Sequence, residues 1–458
     1  MKTDTIAAIA TAMNNAGISI IRISGEDALN IADRIFKSRS GDKQVSLMPS
    51  HTIHYGYIVD KEVIIDEVML LIMKGPKSYT KEDVIEIDCH GGIVVTKRIL
   101  ETVLKYGARA AEPGEFTKRA FLNGRIDLSQ AEAVSDIINA KNEIALKNSI
   151  SQLRGNVLNK IKNIRNSIIH DLAFIEAALD DPEHISLDRF AEELDKHIDE
   201  SLTELQVLLK SSENGRLIKE GIKTVILGKP NAGKSSLLNI LVGSDRAIVT
   251  DIAGTTRDTL EETIQLSNIT LNIIDTAGIR LTEDVVEKIG VDKAKQSAKD
   301  ADLIIFVMDA STELDENDHE IMEIIQDKKA VVLMNKTDLD IKLQNEQIEA
   351  LTGKEVISVS AKENTGIDLL ENWIIEQFFS GNLDFNDEIY ITNIRQKEAI
   401  SESIQSLHMV KKSIEDEMPE DFYSIDLMNA YEVLGGIIGE AVDEDLVNTI
   451  FREFCMGK

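Results

Sequence analysis

The sequence is poor in cysteine and aromatic residues and contains no long apolar run. Its 458 residues include two cysteines, Cys89 and Cys455, and 4% aromatic side chains. Two cysteines this far apart do not make a disulfide framework, so we expect a reducing compartment, with a single disulfide between them as the alternative. No stretch approaches the roughly 18 consecutive apolar residues that a membrane-spanning helix needs. The N-terminus lacks the layout of a signal peptide, and we therefore expect a cytoplasmic protein without a membrane partner.

Positive charge is also outnumbered by negative charge. The chain has 50 lysine and arginine residues against 80 aspartate and glutamate residues, which gives a formal net charge of −30 and a pI near 4.7. The field of such a molecule repels phosphate, which argues against broad, non-specific binding to nucleic acid. Any contact with RNA must therefore be local or assisted by a partner.

The segment 228–235, with the sequence GKPNAGKS, has the spacing of a phosphate-binding loop. A predicted strand at 222–227 leads into it and a predicted helix begins at Ser236. The N–H groups of such a loop and of the helix N-terminus favour a bound polyphosphate. Lys234 would reach the β- and γ-phosphates, and Ser235 would offer its hydroxyl to Mg²⁺. The alternative, a glycine-containing turn that only caps a helix, is disfavoured because strand, helix, lysine and serine occur together.

Two later motifs predict that the nucleotide is GTP. Asn335-Lys336-Thr337-Asp338 follows an apolar strand, and the Asp338 carboxylate can accept two hydrogen bonds from guanine. Adenine lacks both donors, so ATP would leave a buried charge unpaired. Ser360, Ala361 and Lys362 follow the next strand and complete the pocket. A solvated turn is the alternative for the first motif alone, but a phosphate-binding loop at this separation favours GTP.

The segments between these motifs predict metal ligands and a catalytic group. Asp275 opens the run Asp275-Thr276-Ala277-Gly278 and is expected in the Mg²⁺ shell, where Gly278 can contact a γ-phosphate. Thr256, in the run 254–258, is the expected second hydroxyl on Mg²⁺, with an ordinary polar loop as the alternative.

The usual water-positioning glutamine is missing, because Ile279 occupies its place. Glu287, Arg280 and Arg257 are the nearby candidates, and a solvated helix residue is the alternative for Glu287. Asn231 in the phosphate-binding loop is unusual too. Its side-chain oxygen could bind a cation that supplies the charge otherwise provided by an arginine finger.

The whole pattern predicts a multidomain chain. Residues 1–120 are expected to form an α+β domain, with strands at 5–11, 18–24, 51–59, 63–73 and 83–89 and helices at about 26–36 and 94–106. Residues 121–217 are expected to form the first part of an α-helical bundle, opened by a capping box at Asp127–Gln130.

Residues 218–379 are expected to form an α/β P-loop GTPase domain. Its strands are predicted at 222–227, 302–308, 330–334 and 355–360, with a hairpin over 262–274. Residues 380–458 return to helical periodicity. The α/β domain is therefore predicted to be inserted into the helical bundle.

Six further motifs give the chain a full-length resemblance. They are Ile21-Arg22-Ile23-Ser24-Gly25, Tyr79-Thr80-Lys81-Glu82-Asp83, His90-Gly91-Gly92, Pro113-Gly114-Glu115-Phe116-Thr117, Arg119-Ala120-Phe121-Leu122-Asn123-Gly124 and Cys455-Met456-Gly457-Lys458. With them the sequence resembles the MnmE family of tRNA modification GTPases, also called TrmE. The run 13–17 departs from the family, which usually has a proline- and glycine-rich turn there.

The resemblance implies a homodimer formed by the N-terminal domains and K⁺-dependent GTP hydrolysis. It implies K⁺ ligands at Asn231, Thr250, Ile252 and Thr255, and a water-orienting role for Glu287. The residues expected around the nucleotide and its cations are Asn231, Ala232, Gly233, Lys234, Ser235, Ser236, Thr250, Asp251, Ile252, Ala253, Gly254, Thr255, Thr256, Asp275, Thr276, Ala277, Gly278, Asn335, Lys336, Asp338, Ser360, Ala361 and Lys362. Of these, Lys234 and Thr256 are expected to act in catalysis beside Glu287.

The resemblance also implies a reaction on tRNA. Together with a flavin-dependent partner of the MnmG family, such proteins add a carboxymethylaminomethyl or aminomethyl group to C5 of the wobble uridine. A 5-formyl- or methylene-tetrahydrofolate supplies the one-carbon unit, held near Arg22, Glu86, Arg125 and Lys458. A carboxylate can accept paired pterin N–H groups, and arginine or lysine suits the glutamate tail. Without the resemblance, Arg22 and Glu86 would be expected to form an ordinary ion pair.

Three predictions stay open at this point. Cys455 is expected to line the folate site, with a nucleophilic role as the weaker alternative. The basic run Lys147, Arg154, Lys160, Lys162 and Arg165 predicts either a tRNA contact or a solvated helix face. The competing function is a regulatory, ribosome- or RNA-binding GTPase switch without modification activity, which would have no use for a one-carbon donor.

Overall fold

The computed structural model describes most of the chain. The described residues are 4–39, 41, 43–181, 184, 190–243, 262–266, 268–274, 296, 298–379, 390–440, 442, 444–452 and 454–458. They form two compact units. The first lies within Met1–Ile138, Ser149–Ser201 and Glu402–Lys458, and the second lies within Asn139–Asn148 and Leu202–Ser401.

The first unit contains a seven-stranded sheet. Its strands are β1 (Ile6–Ile9), β2 (Ala16–Ser24), β3 (Phe36–Ser38), β4 (Thr52–Asp60), β5 (Val63–Met73), β6 (Val84–Gly91) and β7 (Arg109–Ala110). The spatial order is β3-β4-β5-β6-β2-β1-β7. All neighbours are antiparallel except β1 and β7, which are parallel.

Side-chain alternation gives this sheet one apolar face. Ile85 and Ile87 on β6 are fully buried, together with Ile21 and Ile23 on β2. They pack in one core with residues of helices α1 (Ala28–Ile35) and α2 (Ile93–Lys105). Successive strand residues point to opposite faces, so Arg22 and Glu86 lie on the other face of the same strands, paired in register.

The remaining helices lie in the predicted helical tracts or alternate with the strands of the α/β sheet, except α3, which was not predicted. They are α3 (Glu115–Leu122), α4 (Leu128–Asn139), α5 (Glu143–Leu153), α6 (Asn156–Asp180), α7 (Phe190–Glu220), α8 (Lys234–Gly243), α9 (Glu316–Ile325), α10 (Asn345–Thr352), α11 (Ile367–Phe379), α12 (Ile394–Glu415), α13 (Glu420–Ile438) and α14 (Glu444–Arg452). The capping box before α4 is confirmed: Asp127 Oδ1 accepts from the Gln130 N–H at 3.2 Å, and Gln130 Oε1 accepts from the Asp127 N–H at 3.0 Å. Within the described part of the chain, no helix is both long and apolar enough to span a lipid bilayer.

The second unit is built on a six-stranded sheet. Its strands are β8 (Ile222–Leu227), β9 (Glu262–Leu266), β10 (Ile269–Ile273), β11 (Leu303–Asp309), β12 (Ala330–Asn335) and β13 (Val356–Ser358), in the order β13-β12-β11-β8-β10-β9. Neighbours are parallel except the β9–β10 hairpin. Strands β11 and β12 are buried along their whole length, as expected for a parallel sheet covered on both faces. The predicted doubly wound sheet and its hairpin are confirmed, and the carboxyl ends of its parallel strands form one edge.

Candidate functional site

The loop after β8 has the backbone conformation of a tight phosphate-binding turn. Gly228 and Gly233 have φ values of 150° and 101°. A Cβ on Gly228 would collide with the Val307 carbonyl, and one on Gly233 would collide with the Asn335 amide, so both positions need glycine. Asn231 is exposed and adopts φ 62° without being glycine. The chain is thus folded tightly enough for successive N–H groups to converge at the start of α8.

The Lys234 side chain lies back over this loop. Its Nζ donates to the carbonyl oxygens of Gly228 at 2.6 Å and Lys229 at 2.8 Å. Burial lowers the pKa of Lys234, because an ammonium group is less well solvated there than in water. A phosphate next to this group would offset that cost. The side chains of Ser235 and Ser236 follow on the exposed side of the first turn of α8.

Asn335, at the end of β12, connects the loop to the base-binding motifs. The residue is 2% exposed. Its Nδ2 donates to the Ala232 carbonyl at 2.9 Å, and its Oδ1 accepts from the Ala361 N–H at 3.0 Å. The structure therefore brings together three predicted segments that are far apart in sequence.

Asp338 and its neighbours form the predicted guanine-binding corner. Asp338 Oδ1 accepts from the Ser360 hydroxyl at 2.8 Å, and the Lys362 ammonium lies 3.7 Å from Oδ2. The hydrogen bond from Ser360 lowers the pKa of Asp338, which keeps the carboxylate ionised as an acceptor. Only 8% of the Asp338 side chain is exposed.

Lys336 has a partner that the sequence did not suggest. Its Nζ donates to Asp309 Oδ2 at 2.6 Å, at the end of β11. Burial alone would raise the pKa of Asp309, but the bonds from Lys336 and Ser311 outweigh it and lower the pKa. Asp309 ends the buried strand next to β12, so the pairing of the two strands, and not a sequence motif, brings it to Lys336.

The remaining predicted nucleotide, metal and catalytic residues lie outside the described residues. They are Thr250, Asp251, Ile252, Ala253, Gly254, Thr255, Thr256, Asp275, Thr276, Ala277, Gly278 and Glu287, with the catalytic alternatives Arg257 and Arg280. Ser235 and Asn231 are the described members of the predicted Mg²⁺ and K⁺ sets. Hydroxyl and amide oxygens suit hard cations, so both fit those roles chemically. Among the residues that the structure describes, no cluster of three or more His, Cys, Asp or Glu side chains could hold a metal ion.

Arg22 is the centre of the second predicted site, on the sheet face of the first unit that is opposite to α1 and α2. Its Nε donates to Glu86 Oε1 at 2.7 Å, and its Nη1 donates to the Gly457 carbonyl at 3.1 Å. The two side chains are 16% and 15% exposed. The ion pair expected from the sequence alone is therefore present, and it lies beside the C-terminal residues.

Aromatic rings bracket the cations of this cluster. The Arg22 guanidinium carbon lies 5.5 Å from the centroid of the Tyr79 ring and 5.6 Å from that of Phe116. Arg125 lies 4.7 Å from the same Tyr79 ring. The Tyr79 hydroxyl is within hydrogen-bonding distance, 2.9 Å, of Thr117 Oγ1. Tyr79 belongs to a motif noted in the sequence, but its role as a ring shared by two arginines depends on tertiary packing.

The C-terminal residues dock directly onto this cluster. The Phe116 N–H donates to the Lys458 carbonyl at 3.1 Å. Burial, followed by the positive charge of Arg22, lowers the pKa of Lys458, whereas Glu86 acts in the opposite direction. Arg22, Glu86 and Lys458 are thus electrostatically coupled. A carboxylate beside several cations and an aromatic ring fits a ligand with paired N–H donors and an anionic tail.

A buried network holds the loop that carries Tyr79. Arg119, with 9% of its side chain exposed, lies 2.9 Å from Asp4, 3.2 Å from Glu82 and 3.0 Å from Glu115. Glu82 also accepts from the Ser24 hydroxyl at 2.6 Å. Because Glu82 lies three residues after Tyr79, these contacts hold the loop from which the ring projects.

Both cysteines are free, so the alternative of a disulfide is wrong. Cys89 is buried and burial raises the pKa of its thiol, which makes it a poor nucleophile. Cys455 is exposed beside the C-terminal residues. A role in lining the predicted folate site is compatible with that position.

The basic run in the helices is exposed at four of its five positions. These are Lys147, Arg154, Lys160 and Lys162. For Arg165 both sequence interpretations are wrong, because its side chain is 8% exposed, lies 2.5 Å from Glu440 and stacks 4.0 Å from the Tyr431 ring centroid. Helical periodicity did not reveal that this arginine connects α6 to α13.

Comparison with known proteins identifies the family. The family model of the MnmE helical domain matches residues 128–455, and that of the GTP-binding protein TrmE N-terminus matches residues 5–125. A relative from Lachnoclostridium phytofermentans with the name tRNA modification GTPase MnmE is 67% identical over 458 residues and covers 100% of both chains. A relative with the same name from Acetivibrio thermocellus is 53% identical over 464 residues, with 100% of both chains covered. Another from Clostridioides difficile is 49% identical over 456 residues, with 99% of both chains covered.

Among solved structures, the G domain of the T. maritima FeoB iron transporter is 28% identical and covers 34% of this chain and 97% of its own, with a TM-score of 0.26. The two family models match the predicted N-terminal α+β and helical parts, and together with the α/β sheet they confirm the predicted fold class. The chain belongs to the MnmE family of tRNA modification GTPases.

Proposed function

We propose that this protein hydrolyses GTP and, with a flavin-dependent partner of the MnmG family, adds a carboxymethylaminomethyl or aminomethyl group to C5 of the wobble uridine of certain tRNAs. Relatives of the same length that bear the name of a tRNA modification GTPase support this proposal. The observation that carries it is the pair of hydrogen bonds by which Asn335 joins the phosphate-binding loop to the base-binding segment.

The proposed nucleotide site divides the work among three segments. Residues 231–236 bind the phosphates, with Lys234 as the neutralising cation and Ser235 as a ligand of Mg²⁺. Asp338 selects guanine, supported by Ser360, while Asn335 and Ala361 hold the two loops together. The N–H groups at the start of α8 and the Lys234 ammonium stabilise charge that develops on the phosphates.

The proposed cations and catalytic group extend this site. Thr256 joins Ser235 on Mg²⁺, and K⁺ is bound by Asn231, Thr250, Ile252 and Thr255. K⁺ supplies positive charge near the transferred phosphate, and Glu287 orients the attacking water. The exposed Asn231 side chain in the phosphate-binding loop supports the K⁺ proposal.

A K⁺ requirement gives a direct test of this arrangement. We expect GTP hydrolysis to be faster in K⁺ than in Na⁺ at equal ionic strength, and Asn231→Ala to remove the difference. Asn345→Ala, a change on the surface of the same unit, is the matched control and should keep the K⁺ preference. Equal rates of the unmodified protein in the two salts would contradict the assignment, as would a K⁺ preference retained by Asn231→Ala.

The second proposed site holds a 5-formyl- or methylene-tetrahydrofolate, which supplies the one-carbon unit when bound. Glu86 accepts the paired N–H groups of the pterin, while Arg22, Arg125 and Lys458 hold the glutamate tail. The contact of Arg22 with both Glu86 and the Gly457 carbonyl supports a single composite site. Cys455 lines it.

The proposed assembly is a homodimer through the N-terminal domains, which joins the MnmG-family partner in a heterotetramer and acts on tRNA in the cytoplasm. The proposed domain limits are 1–120, 121–217, 218–379 and 380–458. The sheet face that carries Arg22 also has exposed apolar side chains at Ile53, Tyr55 and Met69, which supports a protein contact of the N-terminal domain on this face.

Folate binding distinguishes this function from that of a regulatory GTPase switch. The full-length protein is expected to bind 5-formyl-tetrahydrofolate in a calorimetric titration. Glu86→Gln should weaken this binding, and Glu101→Gln, on the exposed side of α2, should leave it unchanged. A full-length protein that binds no folate would favour the switch.

The modification itself is tested in cells. Mass analysis of the wobble nucleosides of tRNA from cells that lack this protein should show loss of the C5 substituent, and expression of the unmodified chain should restore it. Nucleosides that stay unchanged after deletion would refute the proposed reaction.

A further inference from the structure

The phosphate-binding loop contains a second lysine, Lys229, whose ammonium pairs with two carboxylates at the start of α9. Lys229 Nζ donates to Asp318 Oδ2 at 2.9 Å and to Asp315 Oδ2 at 3.2 Å. The exposed fraction is 13% for the Lys229 side chain and 1% for that of Asp318. The ion pair is therefore largely withdrawn from water, unlike the surface pairs that contribute little.

Asp318 belongs to the N-terminal capping box of helix α9. Asp315 and Asp318 form a reciprocal capping box, in which the Asp318 N–H donates to Asp315 Oδ1 at 3.1 Å and the Asp315 N–H donates to Asp318 Oδ2 at 3.2 Å. The other oxygen of Asp318 is buried and has no hydrogen-bond partner among the described residues. The Lys229 ammonium is thus the cation that offsets the charge of this carboxylate.

The main-chain carbonyl of Lys229 is hydrogen-bonded within the phosphate-binding loop itself. Its carbonyl oxygen accepts from Lys234 Nζ at 2.8 Å and from the Ala232 N–H at 3.3 Å. One residue is therefore held by its side chain to α9 and, by its carbonyl, to both the phosphate-binding lysine and the turn. Burial alone would lower the pKa of Lys229, but the bonds to Asp318 and Asp315 outweigh it and raise the pKa, so the side chain stays charged.

We propose that Lys229 is a positioning residue for the nucleotide site, which holds the phosphate-binding loop in its binding conformation through the buried Asp318 at the start of α9. This inference rests on the proposed nucleotide site and goes beyond it. Lys229 contacts no phosphate in this scheme; it acts through Lys234 and the turn. Through this contact, α9 also contributes to the affinity for GTP.

The test compares Lys229→Met with the unmodified full-length protein. Methionine keeps the apolar stem and removes the ammonium. We expect the Kd for a fluorescent GTP analogue to rise by about two- to thirtyfold, the range for substitutions that do not touch the ligand. KM for GTP should rise in parallel while kcat changes by less than twofold, because the loop reaches the same conformation once GTP is saturating.

Rescue and control variants separate positioning from a general loss of stability. Lys229→Arg retains a cation that can reach Asp318 and should recover most of the affinity. Asp318→Asn should weaken GTP binding, and adding it to Lys229→Met should cost little more, because both act through one contact. Lys354→Met is the matched control, because Lys354 Nζ also donates to a carbonyl oxygen, that of Lys328, at 2.7 Å. Lys354 precedes the amino end of β13 and therefore lies at the edge of the sheet opposite to the loop.

All variants are compared at a temperature at which circular dichroism shows them folded. A folded Lys229→Met protein with unchanged Kd and KM would overturn the inference, and so would an equal loss of affinity in Lys354→Met. Absence of GTP binding by the unmodified protein would instead refute the proposed nucleotide site. The two failures are therefore distinguishable.

Discussion

Replacing Asn335 by alanine is expected to damage both the stability of the second unit and its affinity for GTP. The Asn335 amide is the group that donates to the Ala232 carbonyl and accepts from the Ala361 N–H. Alanine can do neither. The change therefore breaks the link between the phosphate-binding loop and the segment after β13, although neither backbone partner is altered.

The magnitude follows from the burial of this link. Leaving one buried hydrogen-bonding group unsatisfied costs about 1–3 kcal/mol, so the two groups together cost about 2–6 kcal/mol, toward the lower end if water enters. For a domain of 150–250 residues, each kcal/mol lowers Tm by about 2–4 °C, so the predicted loss is at least about 4 °C. Asn335→Asp removes only one of the two hydrogen bonds. It retains an acceptor for the Ala361 N–H but places a carboxylate against the Ala232 carbonyl.

Chemical and thermal unfolding measure the first effect, and titration with a fluorescent GTP analogue measures the second. Asn345→Ala is the matched control, because that asparagine hydrogen-bonds to Ser358 Oγ at 3.0 Å in an exposed position. It should change stability by less than about 0.5 kcal/mol. If the free energy of unfolding of Asn335→Ala lay within about 0.5 kcal/mol of that of the unmodified protein and GTP bound equally well, the Asn335 bridge would be refuted as a source of stability and affinity.

Three further predictions concern the two sites. Asp338→Asn replaces a carboxylate that can accept two N–H groups by an amide with one acceptor oxygen and an N–H donor group. GTP affinity should therefore fall at least about tenfold and affinity for xanthosine triphosphate should rise, both measured by competition. Unchanged selectivity would contradict the role of Asp338. Because a bound phosphate favours the Lys234 ammonium, whose pKa is lowered by burial, GTP binding should take up protons and weaken as pH rises through that lowered pKa. Calorimetry in two buffers of different ionisation enthalpy checks this, and a buffer-independent heat there would argue against it. Tyr79→Leu should weaken folate binding by about tenfold. Tyr79→Phe should weaken it less, because phenylalanine keeps the ring over both arginines and loses only the contact with Thr117. Equal folate affinities of the two variants in a calorimetric titration would refute the role of the ring.

Much of the fold was predictable because its elements have strong local signals. The strand predicted at 222–227 has the observed bounds of β8, and the one predicted at 63–73 has those of β5. Both are runs of β-branched and apolar residues with turn sequences at their ends. The short strands β3 and β7 were missed, because they have three and two residues and form by pairing with β4 and β1.

The proposed nucleotide site could be predicted from the sequence where its motifs consist of consecutive residues. The predicted phosphate-binding loop is eight consecutive residues, so its spacing predicts it without tertiary information. Its supports are not local: Asp309 and Asp318 lie 27 and 89 residues from the lysines that they pair with, Lys336 and Lys229. Such contacts leave no periodic or motif signal in one sequence.

The second proposed site shows why an ion pair and a binding site are not competing descriptions. From the sequence, Arg22 and Glu86 were expected to form a pair in the absence of any resemblance, and they do so at 2.7 Å. Such a pair holds a carboxylate and a guanidinium in fixed positions before a ligand arrives, which reduces the ordering cost of binding. The Arg22 contact with the Gly457 carbonyl extends that order to the C-terminus. Because Lys458 follows directly, correct docking of the last residues is a condition for a complete site in the folate proposal. An isolated N-terminal domain of residues 1–120 would lack two of its three proposed cations, Arg125 and Lys458.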